Sequence, residues 1–248
     1  TMTRIERRLP TDPPAQCRNC PLRELGLFVL PDDPEFDMVQ GIRHGTRRLE
    51  HGALIHGEGD PVTQAFTLFD GYAVRYRILP SGQRQVLQFL LAGDLLYHLG
   101  DEPSVWPDAA EVVDHAVLCA LSGPGLQRLF DLKIEVAHHI AAIRQNDKRL
   151  LEEHIMDMGQ RSALEGVARL LLELFLRERQ RGRFAGPECY FPFRQHDIGD
   201  ALGLSSVHVS RMMADLREAG LMTLRERWLT IPDVEALADR LGVDPDEL

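Results

Sequence analysis

Hydrophobic and polar positions change their period along the chain, and each change marks an element. Between residues 45 and 120, short apolar runs such as Phe66–Phe69, Ala73–Leu79 and Gln85–Leu91 are separated by Gly45, Gly52, Gly59, Gly71, Gly82 and Gly93. Val74, Tyr76 and Ile78 alternate with Arg75 and Arg77, the period of two expected of a half-buried strand. Leu79-Pro-Ser-Gly82 reads as a hairpin turn. Short strands with regular glycine turns predict a barrel, a sandwich or a jelly roll.

Near Gly125 the pattern becomes helical. Val136, Ile140, Ile143, Leu150, His154 and Met158 recur at three- to four-residue steps, with a break at Asp147. A helix of about 30 residues with such a stripe pairs with its own copy in a coiled coil, or else packs across its own chain. The stripe is read as a dimerisation face. Gly159–Ser162 reads as a hinge, and Ala163–Arg179 as a second amphipathic helix with Val167, Leu170, Leu171, Leu174 and Phe175 inward. Phe191-Pro-Phe193 is a short extended lead into the next motif.

That motif is Gln195–Arg217, QHDIGDALGLSSVHVSRMMADLR. Its apolar residues at helical spacing are Ile198, Leu202, Leu204, Val209, Met212 and Leu216. Gly199 lets two helices approach, Gly203 makes the turn between them, and Ser205 or Ser206 can cap the second. The pattern predicts a helix-turn-helix whose second helix shows Ser206, Val207, Ser210 and Arg211 to a DNA major groove. Ser205, His208 and Arg194 flank that face and are the expected phosphate contacts. A plain helical hairpin in a core would share much of this grammar. Leu221–Leu224 and Trp228–Ile231 around Arg225-Glu-Arg227 predict a small hairpin, the wing of a winged helix. The acidic tail from Asp233 holds one weak helix.

Net charge is −10, which by itself argues against nucleic acid. The charge is unevenly placed. Residues 160–230 hold 11 Arg against 9 acids, whereas the last 18 residues hold 1 Arg against 6 acids. A DNA reader needs only a local basic face, so the total excludes nothing. No apolar run reaches about 18 residues and no signal-peptide pattern opens the chain, so a cytoplasmic protein is expected. Thr1 before Met2 is expected to be an addition to the natural start. Residues 1–16 are polar and proline-rich and are expected to be mobile. Leu22–Phe28 is expected to pack on the segment next to it in the chain, and Phe36–Gln40 to begin a short helix. Four cysteines at uneven spacing do not make a disulfide framework. No nucleophile–base set, phosphate loop or metal triad points to an enzyme.

Roll, long helix, hinge and winged helix-turn-helix in this order resemble the Crp/Fnr family of bacterial transcription regulators over nearly the whole chain. The resemblance rests on the glycine-spaced roll with Gly93-Asp94-Leu95 and on DIGDALGLSSVHVSRMMADLREAGLM. It implies an α+β protein: an N-terminal segment (1–44), a cyclic-nucleotide-binding-like β-roll or jelly roll (45–124), a dimerisation helix (125–159) and a winged helix-turn-helix domain (160–248). It also implies a homodimer on an inverted-repeat operator, RNA polymerase as a further partner, and a sensory input.

Three departures qualify the resemblance. Relatives that bind cyclic AMP hold its phosphate with an Arg-Ser pair, but Pro103–Glu111 has no arginine and Asp108 stands about where it would be. A carboxylate there repels a phosphate, which disfavours cyclic AMP. Fnr-type iron–sulfur relatives use three clustered N-terminal cysteines and one in the roll. Cys17, Cys20 and Cys119 match three of these, but Gly26 or Phe28 stands at the remaining place. Three thiolates would hold only a labile cluster, and buried core thiols are the other reading. Cys189 matches neither set. Fnr-type recognition helices carry Glu-x-x-Ser-Arg; Ser210 and Arg211 match, and Val207 replaces the glutamate. Ten histidines raise a haem reading, but none has HxxH or HExxH spacing, and His138-His139 reads as a solvated face.

Overall fold

The computed structural model describes residues 5–6, 10–23, 33–98 and 104–245. Two compact units divide the chain. One is Leu9–Arg77 with Gln88–Arg149, the other Thr1–Arg8, Ile78–Leu87 and Leu150–Leu248. The division therefore falls inside the long helix, and it groups the hairpin tip with the C-terminal residues.

The elements run in order: β1 (Ile5–Glu6), α1 (Asp33–Ile42), β2 (Arg43–Glu50), β3 (Leu54–His56), β4 (Gln64–Ile78), β5 (Arg84–Leu90), β6 (Leu95–Leu96), β7 (Ala109–Ser122), α2 (Gly123–Leu132), α3 (Ile134–Gly159), α4 (Ala163–Gln180), β8 (Phe184–Ala185), β9 (Glu188–Tyr190), α5 (Gln195–Leu202), α6 (Ser206–Glu218), β10 (Thr223–Arg225), β11 (Trp228–Thr230) and α7 (Val234–Leu241).

In the first unit, strands order β2-β7-β4-β5, with β3 paired to β7 and β6 to β4. The long strands β4 and β7 pair antiparallel from Gln64↔Ser122 to Tyr76↔Ala109, with register shifts at Leu68/Asp70 and Gly71/Ala73. Such bulges bend a strand and raise its twist, so one long strand follows the curve of the roll. Phe66, Leu68, Leu90, Trp106 and Leu118 fill its core. A second core gathers Cys17, Cys20, Val39, Leu95, Val117, Cys119, Leu126, Val136 and Ile140, with Ile143 packed on it.

This second core corrects the reading of the helix stripe. Val136 and Ile140 lie in a core of their own chain, and Ile143 packs on it. Leu150 and His154 are also buried, and His154 meets Glu173 of α4 at 3.1 Å. Of the six stripe residues only Met158 is exposed. The physical reason is that the roll offers an apolar surface of its own, built partly from the N-terminal segment. The helix is also interrupted: Lys133 lies between α2 and α3, in extended backbone.

Other expectations shift in smaller ways. Ile78 is exposed, so the alternation of β4 ends at Tyr76. The 10–16 stretch is tied to β2, because Arg43 donates to the carbonyls of Pro14 (2.6 Å) and Ala15, and Arg48 to that of Thr11 (2.9 Å) and to Asp12. Further upstream β1 pairs with β8. The helix expected at Phe36–Gln40 is α1, and of Leu22–Phe28 the described part is a buried Leu22 and an exposed Arg23.

In the second unit, α4 starts with a capping box, Ser162 and Glu165 satisfying each other's backbone donors. Its buried face includes Val167, Leu170, Leu171, Leu174 and Phe175 as expected. It also buries Arg169 and Glu173. Arg169 donates to Asp157 of α3 at 2.6 Å and to Glu173 at 3.2 Å, and Arg161 also reaches Asp157 at 2.6 Å. These charges are buried only because each meets its opposite.

Candidate nucleic-acid interface

α5 ends where a side chain would be strained. Gly203 takes φ 68° and ψ 28°, a left-handed cap that costs glycine little. The chain then turns into α6, whose first turn is capped by Ser205 Oγ accepting from His208 N at 3.2 Å. Gly199 is the point of closest approach: a Cβ there would lie 2.4 Å from the Leu204 carbonyl oxygen. Ile198, Ala201, Leu202, Val209, Met212 and Leu216 are buried and lock the pair. At the start of α5, Asp197 accepts from Arg194 N at 2.9 Å and from Arg84 at 2.5 Å, and Arg84 also reaches Asp200 at 2.7 Å.

With the inner face so fixed, the outer face of α6 is determined. Ser206, Val207, Ser210 and Arg211 are exposed, Val207 at 78%. An aliphatic side chain that open is free to make an apolar contact with a partner. Ser205 is exposed at the cap, Arg194 is exposed at the N-cap of α5, and His208 is half-buried. Arg211 makes no ion pair among the described residues, not even with Asp215 one turn along the helix. All seven expected contact residues lie on the helix-turn-helix, at its ends or on its outward face.

Two basic residues escaped the expected contact set. Arg225 and Arg227 are exposed on the β10–β11 turn. Glu226 (φ 50°) and Arg227 (φ 64°) form its tip in the left-handed region. Non-glycine residues there carry local strain, which accumulates at functional sites. Arg227 donates to the Tyr190 hydroxyl at 3.1 Å and its carbonyl accepts from Phe191 N at 2.7 Å. Two arginines on a predicted wing were the available signal.

The roll interior holds Asp108, which is 2% exposed. Arg75 pairs with both its oxygens, and His56 Nε2 lies 3.1 Å from Oδ1. The His56 ring stacks on Trp106 at 3.8 Å. Burial opposes the charge of Asp108, but the hydrogen bonds from His56 and Arg75 outweigh it and hold the carboxyl below the usual range. The expected repulsion of a phosphate therefore needs revising. The carboxylate is not bare; it already occupies the local cation.

Cys17, Cys20 and Cys119 do converge, lining one narrow cleft with Pro13, Pro14, Arg43 and Leu121. Burial pushes the Cys119 thiol up to about 12 and raises those of Cys17 and Cys20, against a lowering effect of Arg43. Iron–sulfur ligation needs thiolates and a fourth ligand. Gly26 and Phe28, at the remaining place, lie outside the described residues, and neither side chain can bind iron. Among the described residues no three His, Cys, Asp or Glu are arranged to hold a metal ion. The three thiols as placed do not fit a cluster. Cys189 is buried in β9, and on α3 His138 is exposed and His139 half-buried.

A β-roll followed by a long helix and a winged helix-turn-helix with an open recognition face defines a DNA-binding regulator. Residues 166–240 match the family model described as the Crp-like helix-turn-helix domain. The fumarate and nitrate reduction regulatory protein of Escherichia coli (strain K12) is 24% identical over 96% of this chain and 96% of its own length. An anaerobic regulatory protein of Aggregatibacter actinomycetemcomitans is 23% identical over 100% of this chain and 96% of its own. The solved structure of FixK2 from Bradyrhizobium japonicum superposes with a TM-score of 0.70 at 26% identity, over 78% of this chain and 95% of that one. Residues 166–240 thus carry a Crp-like helix-turn-helix domain, and the chain is similar over nearly its whole length to transcription regulators of the Crp/Fnr type.

Proposed function

We propose that the protein is a homodimeric, sequence-specific regulator that reads an inverted-repeat operator through α6 and acts with RNA polymerase, without cyclic AMP as its signal. The observation that carries this reading is the outward face of α6, where Val207, Ser210 and Arg211 stand exposed above a fully buried inner face. An arginine suits guanine O6 and N7 with two parallel donors, and valine suits a thymine methyl. Arg194, Ser205, His208 and the wing arginines Arg225 and Arg227 would hold phosphates, setting register without reading sequence.

The dimer seam we infer differs from the expected stripe. Ile134, Ala141, Lys148 and Ile155 recur at heptad spacing along α3, with Leu151 and Met158 between them, on a line beside the buried stripe. Ile134 and Ile155 are each 61% exposed, and Leu151 and Met158 are also open. Selection of bound sequences from random duplexes tests the whole reading: an inverted repeat with a G·C pair in each half-site is expected, and enrichment of no sequence would reject it.

The cysteine set supports buried core thiols better than a cluster. Protein purified without oxygen should be colourless; visible absorption that bleaches in air would restore the iron–sulfur alternative.

A further inference from the structure

Asp147 breaks the apolar stripe of α3, yet it lies on the inward side with Val136, Ile140 and Ile143. A carboxylate placed there needs a reason. Gln88 Nε2 donates to Asp147 Oδ1 at 2.9 Å. The same amide's Oε1 accepts from an Arg75 terminal nitrogen at 2.8 Å. Arg75 in turn grips Asp108, which also meets His56 Nε2. A carboxylate only accepts, so His56 donates through Nε2; its Nδ1 is buried with no hydrogen-bond partner among the described residues. One connected path thus runs from the roll interior (His56, Asp108, Arg75) through β5 (Gln88) to α3 (Asp147), entirely within the first unit. The orientation of Gln88 is fixed by both neighbours: its oxygen faces a cation and its nitrogen an anion, so neither can change without the other feeling it. Arg144, one turn before Asp147, lies over the Tyr97 ring at 5.0 Å and adds a second contact of the same helix.

We propose that Asp108 is a built-in substitute for an anionic ligand, and that the Asp108–Arg75–Gln88–Asp147 relay fixes α3 on the roll with no diffusible molecule required. Arg75, Gln88 and Asp147 are positioning residues in this scheme. The consequence for operator binding rests on the function proposed above, but the seating of α3 does not, so the two are measured apart.

Hydrogen exchange of the α3 amides in the full-length protein, without DNA, is the test. Gln88→Met keeps the size of the side chain and cuts the relay at its half-buried middle. It should speed exchange in residues 136–150 about tenfold, as loss of a charge-assisted hydrogen bond implies, and leave the roll strands protected. Asp108→Ala should do the same, and sodium acetate, but not equal sodium chloride, should return it towards wild type by refilling the site beside Arg75. Acetate should leave Gln88→Met unchanged. Unaltered α3 exchange in Gln88→Met, or faster exchange spread over the whole roll, overturns the relay. Failure of acetate to act on a folded Asp108→Ala overturns the substitute-ligand role. If Asp108→Ala does not fold, the decision rests on Gln88→Met. Operator affinity measured in parallel separates the cases: α3 exchange that responds in a protein that binds no DNA would keep the relay and reject the proposed function.

Discussion

Individual side chains on α6 divide into those that read bases and those that hold the backbone, and the two kinds respond differently to removal. Arg211→Ala should cost about 1–3 kcal/mol on the preferred operator and flatten one G·C preference per half-site, measured by competition with operator variants. Arg194→Ala should weaken all sequences alike and lower the salt slope by about one. Equal losses for Arg211→Ala on every variant would make it a phosphate clamp and shift the register of α6. On the roll, His115 lies 2.9 Å from Asp114 and 3.4 Å from Asp70. The hydrogen bond to Asp70 outweighs burial and, with Asp114, raises its pKa to about 9. A raised histidine contributes stability below its unfolded value near 6.5, and loses it as pH rises through about 9. Because the ring is 43% exposed, water screens much of the effect. His115→Gln should therefore remove a modest alkaline decline in melting temperature between these limits.

Elements fail through their closest contacts. At Gly199 the neighbouring backbone oxygen cannot move aside without shifting α6. Gly199→Val should abolish operator binding, and urea titration should show that the roll still unfolds at its own midpoint. The dimer seam is tested on α3. Leu151→Glu with Ile155→Glu should give monomer in sedimentation, since both side chains are exposed and their loss harms no core. Ile140→Glu with Ile143→Glu, the pair that the sequence stripe singles out, should instead destabilise the roll. It puts charge into an apolar core, typically several kcal/mol. A dimer surviving the first pair places the interface elsewhere.

At the scale of the molecule, the proposal that cyclic AMP is not the signal rests on the interior of the roll. With the cation of Arg75 already held by Asp108, cyclic AMP at millimolar concentration should give no saturable heat in calorimetry. Saturable binding would mean that the roll interior opens. Acid works on a buried carboxylate in each unit. Asp108 and Glu173 are both held below their usual range; burial opposes their charge, and His56 and His154 respectively are the first of the hydrogen-bonding partners that prevail. Their stabilisation is present above the unfolded carboxylate values and is lost as pH falls through the folded ones.

What the chain alone determined is the set of local elements. Alternation and turn glycines specify the roll. Gly199, Gly203 and Ser205 specify the helix-turn-helix, because backbone conformation, capping and close approach depend on neighbours in sequence. The direction in which α3 turns its faces was not legible. That helix carries apolar residues along more than one line, Val136, Ile140, Ile143 and Leu150 on one and Ile134, Leu151 and Ile155 on another, and periodicity cannot tell which meets its own chain. Only the roll, assembled from strands far apart in sequence, supplies the surface that covers Val136, Ile140 and Ile143. The same holds for charge. Asp108 and Asp147 read as isolated carboxylates along the chain, and only folding brings Arg75 and Gln88 between them. A buried charge takes its meaning from its partners, and those are chosen by tertiary structure.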